Sequence, residues 1–347
     1  MPARTFPEAP NGVNDQDSDF YVHHHLVPSL DPCKGRMLRV SAPIAAGTVL
    51  LVDTPYAIVP TVEPSRSDAL ICSNLVCSRL VPQDGQGSCC PKSCYQDVIW
   101  CNDACREADR PRHEFECCWL KRNGEKIRQE ECEYDFVTLW HVVRLLAGRH
   151  LERKASSMLW QHPQRKEFVR GWEAVEMCCA YLDSWPEPQI KHWRRLAKIY
   201  LSNESELPGL PGPDEVLSVI CKEETNTFGL YPKMTGPLYM VDRPVPRGES
   251  YGLSLFPRAA MFNHSCLPNV THKPDGQGRM VYTAARDIAA NEEVMITYFD
   301  LTQFDDVKER QERTRDQFQF ACTCERCIEE EAQDNLEGID SLPFGLV

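Results

Sequence analysis

Apolar residues fall into short runs towards both ends of this chain and into three- and four-spaced stripes through its middle. Met37-Leu38-Arg39-Val40, a turn at Ala46-Gly47 and Val49-Leu50-Leu51-Val52 predict a strand pair. Ala57-Ile58-Val59, bracketed by Pro55 and Pro60, predicts a shorter strand. From about residue 125 to 205 the period becomes helical. Phe136, Leu139, Trp140, Val143, Leu146 and Ala147 form one stripe, and Trp193, Leu196, Ala197 and Tyr200 form another. Pro213 followed by Asp214 and Glu215 predicts a helix start leading into Val216–Ile220. Strands resume at Met280–Thr283 and at Val294-Met295-Ile296-Thr297-Tyr298, and 305–316 predicts a charge-dense helix. Residues 229–250, rich in Gly and Pro, read as a loop insertion.

This pattern predicts a mostly β core of short strands with α-helical insertions, α+β overall. Length permits a large core in more than one module. A net charge of −13 argues against binding to a phosphate backbone, so no nucleic-acid partner is expected. No apolar run reaches the 18 residues a membrane span needs, and no secretory signal opens the chain. The polar segment 1–28 is expected to be a disordered arm, with three histidines at 23–25 in a solvated loop.

Eighteen cysteines change the picture. Nine lie between 72 and 118, spaced as metal knuckles are, so zinc and a reducing compartment are expected rather than disulfides. Cys72, Cys77, Cys90, Cys94, Cys101, Cys105, His113 and Cys117 provide eight ligands for two closed, structural zinc sites. The doublets Cys89/Cys90 and Cys117/Cys118 leave the ligand at each open. Cys322, Cys324 and Cys327 form a knuckle one ligand short, and Cys266 is the expected fourth, with Cys221 and Cys33 as other candidates. That ion would hold Phe318 and Phe320 against Tyr298.

Three stretches now stand in order: Asn263-His264-Ser265-Cys266-Leu267-Pro268-Asn269, Glu292-Glu293-Val294-Met295-Ile296-Thr297-Tyr298, and Cys322-Thr323-Cys324-Glu325-Arg326-Cys327. Together they resemble the SET family of protein lysine methyltransferases. With the cysteine module, the chain is similar to the SET-and-MYND type from about residue 30 to 330. The resemblance implies S-adenosylmethionine as cofactor, contacted by Lys34, Gly35, Arg36, Asn226, Asn263, His264, Tyr298 and Phe320. It implies an amine channel lined by Tyr298, Phe318 and Phe320, with the Tyr298 hydroxyl orienting the amine. In the finger, the first and third ligand pairs would share one zinc and the second and fourth the other. Phe318 stands where the subtype often has Tyr, which leaves the number of methyl groups added open.

The expected layout is a disordered arm 1–28, the first part of the SET domain 29–66, a MYND finger 68–120 and a helical insertion 121–221. Core SET 222–300, with the loop insertion 229–250, a post-SET zinc region 301–330 and a disordered acidic tail 331–347 follow. A monomer in the nucleus or cytoplasm is expected, methylating a histone or non-histone lysine, with a proline-rich peptide as a partner of the finger. The competing reading is a catalytically inactive zinc adaptor in transcriptional regulation. The chain stops soon after Cys327, so the C-terminal helical repeat domain of some relatives is not expected.

Overall fold

The computed structural model describes residues 20–61, 69–82, 87–155, 168–236 and 246–340. Five strands come first: β1 (Tyr21–Val22), β2 (Leu26–Asp31), β3 (Gly35–Val40), β4 (Val49–Asp53) and β5 (Ala57–Pro60). The cysteine module adds β6 (Ala69–Ile71), β7 (Leu80–Pro82), β8 (Ser88–Cys89) and β9 (Ile99–Trp100), and ends in α1 (Asp103–Glu130). Then come α2 (Glu133–Ala155), α3 (Gly171–Glu176), α4 (Glu187–Tyr200) and α5 (Pro213–Asn226). The strand core resumes with β10 (Thr227–Leu230), β11 (Gly252–Leu255), β12 (Asn263–His264), β13 (Val270–Pro274), β14 (Met280–Ala284) and β15 (Met295–Ile296). Helices α6 (Val307–Phe318) and α7 (Glu325–Asp340) follow.

The strand core joins pieces far apart in sequence. One sheet has the order β1-β4-β14-β13 and another β10-β11-β5, so residues 57–60 pair with 252–255 across the whole finger and helical insertion. Leu38, Leu50, Phe256, Phe262, Tyr282 and Ile296 are buried together in one cluster of this strand core. A second cluster, built on Trp100, Trp119, Phe136, Trp140 and Trp193, joins finger and helices. The third is small and gathers Phe299, Leu301 and Val307 around Cys266, Cys322 and Cys327.

Several boundaries differ from the sequence reading. Residues 20–28 are not part of an arm, because Tyr21 and Val22 pair with Val52 and Leu51 and β2 pairs along its length with β3. Residues 1–19 lie outside the described ones, as does 341–347 of the expected tail. Residues 331–340 continue α7 instead of forming a disordered tail. The helix that carries the finger's last ligands does not stop at 120 either. α1 runs unbroken from Asp103 to Glu130, because Asn102 caps it through Cys105 N–H and its buried face continues through Trp119, Leu120 and Ile127. The strand expected at 294–298 shrinks to Met295–Ile296, since only those two residues find a partner in β12. Of the loop insertion 229–250, Thr235 bridges to His272, and 237–245 lie outside the described residues.

Candidate active site and metal centres

Each cysteine cluster assembles from separate elements. Cys72, Cys77, Cys101 and Cys105 meet in one group, Cys90, Cys94, His113 and Cys117 in a second, and Cys266, Cys322, Cys324 and Cys327 in a third. Within each group all ligand atoms lie within 4.8 Å of one another. Representative separations are 3.5 Å for Cys77–Cys101, 3.7 Å for Cys90–Cys117 and 3.9 Å for Cys266–Cys322. A tetrahedron with Zn–S bonds of about 2.3 Å has edges of about 3.8 Å, so four donors at these spacings fit zinc and leave no open position. The doublets resolve by burial: Cys90 and Cys117 are buried in their group, while Cys89 and Cys118 are exposed. Cys117 follows His113 by one helical turn on α1, which carries both to the same face. His113 Nδ1 faces Glu116 Oε1 at 3.2 Å, a carboxylate that fixes the ring with Nε2 towards the thiols.

The third group closes a pocket. In the hairpin turn before β3, Asp31 Oδ1 accepts from the N–H groups of Cys33 and Lys34 at 2.8 and 2.9 Å. Gly35 takes φ 74°, a conformation side chains resist, and so swings Lys34 and Arg36 to the pocket edge. Glu293 receives Lys34 Nζ at 2.7 Å and Asn263 Nδ2 at 2.9 Å, joining two predicted site residues that are far apart in sequence. Asn269, fully buried, donates to Glu293 O and accepts from Met295 N–H at 2.8 Å each, which stitches the 263–269 loop to β15. An amide buried without such partners would cost about 1–3 kcal/mol.

Tyr298 leaves β15 beside His264. Its N–H donates to His264 Nδ1 at 3.1 Å and its hydroxyl to Phe262 O at 2.8 Å. Burial pushes the His264 imidazole down to about 4, so the ring is neutral. With Nδ1 accepting, the ring proton sits on Nε2, 3.3 Å from Cys266 Sγ. Burial, with Tyr181 and Cys179 close by, holds the Tyr298 phenol above its ordinary value and therefore protonated. The Phe318 and Phe320 rings stand 5.0 and 6.3 Å from the Tyr298 ring.

These residues share one cavity of about 1170 Å³. Lys34, Arg36, Asn226, Asn263, His264, Tyr298, Phe318 and Phe320 all line it, with Gly35 in the turn between the first two. Asn226 spends its amide nitrogen on Cys179 O and Lys222 O, at 2.8 Å each, so only its Oδ1 remains for a ligand. Sequence reasoning missed Glu293 as a site residue although it stands inside a quoted motif. It also missed Cys179 and Tyr181, which line the cavity on the loop after α3. No spacing announces those two. Tyr181 holds φ 46°, unusual for a bulky residue and a sign of a constrained wall.

Lys34 and Arg36 supply cations for a carboxylate, Asn263 supplies its side-chain oxygen, and Phe318 and Phe320 supply aromatic faces, while both ring nitrogens of His264 are already engaged. That donor set fits an amino-acid-bearing sulfonium cofactor at one end and a lysine side chain at the other.

The family model described as SET domain matches residues 35–299. N-lysine methyltransferase SMYD2 of Homo sapiens is 26% identical over 298 residues, spanning 85% of this chain and 58% of its own length. A SET and MYND domain-containing protein of Dictyostelium discoideum is 24% identical, spanning 87% of this chain and 59% of its own. The chain thus spans under two thirds of the curated relatives it matches. A solved SET domain of LSMT bound to lysine and AdoHcy is a looser likeness, with TM-score 0.39 and 11% identity over 86% of this chain and 53% of that one.

Proposed function

The chain belongs to the SET-domain family, and from that premise we propose that it transfers a methyl group from S-adenosylmethionine to the amine of a protein lysine. The observation that carries the reading is the convergence of the Lys34–Arg36 turn, the Asn263–His264 pair and the Tyr298, Phe318 and Phe320 rings on one cavity. When bound, the cofactor supplies an electrophilic methyl group on a sulfonium. Lys34 and Arg36 would hold its carboxylate, with the Asn263 side-chain oxygen and the His264 backbone at its polar edges.

The remaining work belongs to the chain. A lysine amine is a nucleophile only when neutral, and its reference pKa is near 10.4. A wall of Tyr298, Phe318 and Phe320 excludes water and disfavours the charged amine. The Tyr298 hydroxyl gives its proton to Phe262 O, so its lone pairs are free to accept from the amine and aim it. Alignment of the reacting groups supplies much of the acceleration. Phe318 adds no second hydroxyl, which leaves room beside the amine.

None of the eighteen cysteines is in a disulfide, and we read the chain as a zinc-loaded protein of the nucleus or cytoplasm. The finger is read as a docking module for a protein segment, with a proline-rich peptide as the candidate partner.

Calorimetric titration of S-adenosylmethionine into zinc-loaded protein, with Asn263→Ala beside it, tests the reading. Micromolar binding that the substitution abolishes is the expected result. Folded, zinc-replete protein that binds no cofactor would leave the zinc adaptor instead.

A further inference from the structure

Beyond the channel, the cavity continues to a wall the methyl-transfer reading does not use. Arg247, just before β11, and Arg313, on α6, both line it. The Arg247 guanidinium stacks on the Tyr231 ring at 3.7 Å, and that of Arg313 lies 5.2 Å from the Phe304 ring. Among the described residues neither makes an ion pair with a carboxylate. Asp300, the acid nearest in role, is already taken: one oxygen accepts from Arg247's own N–H at 2.9 Å, the other from Thr302. Asp316 lines the cavity too, without reaching ion-pair distance of either arginine.

Unsatisfied donors mark the same wall. Arg313 Nε is buried and has no partner. His272, on β13 and only 5% exposed, lines the cavity with Nδ1 unpartnered. Burial pulls both arginines below their ordinary values, and the charge of Arg313 adds to this at Arg247. Both side chains are half-buried, and at Arg247 the charge of Asp300 offsets only part of the cost of burial and of the neighbouring Arg313, so a bound anion would relieve the rest. They stand out further in a chain of net charge −13.

We propose that Arg247, Arg313 and His272 form an oxyanion subsite that holds an acidic group on the substrate peptide beside the target lysine. Arginine forks match a carboxylate or phosphate in two-point geometry, and a neutral imidazole N–H adds a third donor. The inference rests on the methyl-transfer reading for the lysine itself, but the subsite's chemistry stands on these three side chains. An aspartate, a glutamate and a phosphoserine share that chemistry.

The test uses a lysine peptide pool in which one flanking position at a time carries Asp, Glu, phosphoserine or Ala. Methylation is followed by mass, and binding of the same labelled peptides to protein loaded with S-adenosylhomocysteine by fluorescence anisotropy. The expected result is a preference of about tenfold for an acidic group at one flanking position, equivalent to about 1.4 kcal/mol. Preference for Asp and Glu over phosphoserine, or the reverse, names the source. Arg313→Gln and Arg247→Gln should each lower the acidic-to-alanine ratio several-fold, and Arg313→Glu should turn the preference towards a lysine flank. Active protein indifferent to the flank would overturn the subsite and keep the methyl-transfer reading. Arginine-dependent binding of acidic peptides without methyl transfer would keep the subsite and sink that reading. Arginine variants that weaken S-adenosylhomocysteine binding instead would assign the pair to the cofactor and overturn the proposal.

Discussion

Glu293 is the residue on which the cofactor side of the pocket turns. It holds Lys34 at 2.7 Å and Asn263 at 2.9 Å, and both neighbours depend on it for orientation. Glu293→Ala should weaken S-adenosylmethionine binding by about tenfold, since a hydrogen bond to a charged group contributes roughly 1.5–3 kcal/mol. The thermal midpoint should move little, because Asn263 keeps Arg36 O as a partner. Calorimetry beside a melting curve separates the two effects. A large loss of stability with unchanged affinity would refute the role. Glu293 was visible in the sequence as part of a motif, but its task depends on a lysine 259 positions away. The reverse holds for Cys117. Its spacing from His113 puts both on one helical face, so the choice over Cys118 follows once α1 is known to be a helix.

Arg144 joins elements that the sequence presents as separate modules. Fully buried on α2, it donates to Ile58 O in β5 at 3.0 Å, to Ser73 O in the finger at 2.9 Å and to Asp109 on α1 at 3.0 Å. Glu116 lies 3.5 Å away and takes the Trp140 indole proton at 2.8 Å. Arg144→Met should destabilise the protein by about 3–5 kcal/mol, because two buried carboxylates lose their cation. Urea unfolding of the zinc-loaded protein reads this directly. A change below about 1 kcal/mol would mean that the network carries no weight. The helical stripes around Trp140 and Trp193 were legible because period 3.6 is a local property. The unity of α1 was not, since its composition shifts from cysteine-rich to charged while its backbone continues. β1 was missed for a related reason: two residues make a strand only when β4 lies beside them.

At the scale of the molecule, three four-ligand groups that fit zinc tie together segments distant in sequence. Loaded with zinc, the first two would fasten the finger's loops to α1, and the third would fasten the segment 322–324 and α7 to the loop at 263–269. Cys327→Ser should therefore reduce bound zinc from three ions per chain to two and abolish S-adenosylhomocysteine binding, leaving most helical structure in place. Metal analysis with calorimetry and circular dichroism checks all three outcomes. Retained cofactor binding with two zinc ions would detach the third centre from the pocket. The motifs made the centres readable, since ligand identity and spacing are local. The pairing of residues 57–60 with 252–255 was not readable, because nothing in either segment names the other.

The clamp between Cys266 and Cys327 also sets an order of events in the life of the chain. Synthesis runs from the N-terminus, and the finger's ligands, ending at Cys117, leave the ribosome long before the knuckle at 322–327. Asn263 and Tyr298 emerge with one wall of their pocket still unmade, and that wall arrives only when Cys327 is free to meet zinc. A nascent chain can thus own a finished finger and helical body while its pocket stays open. Competence comes last, set by when the fourth thiol is delivered and by the zinc on hand at that moment.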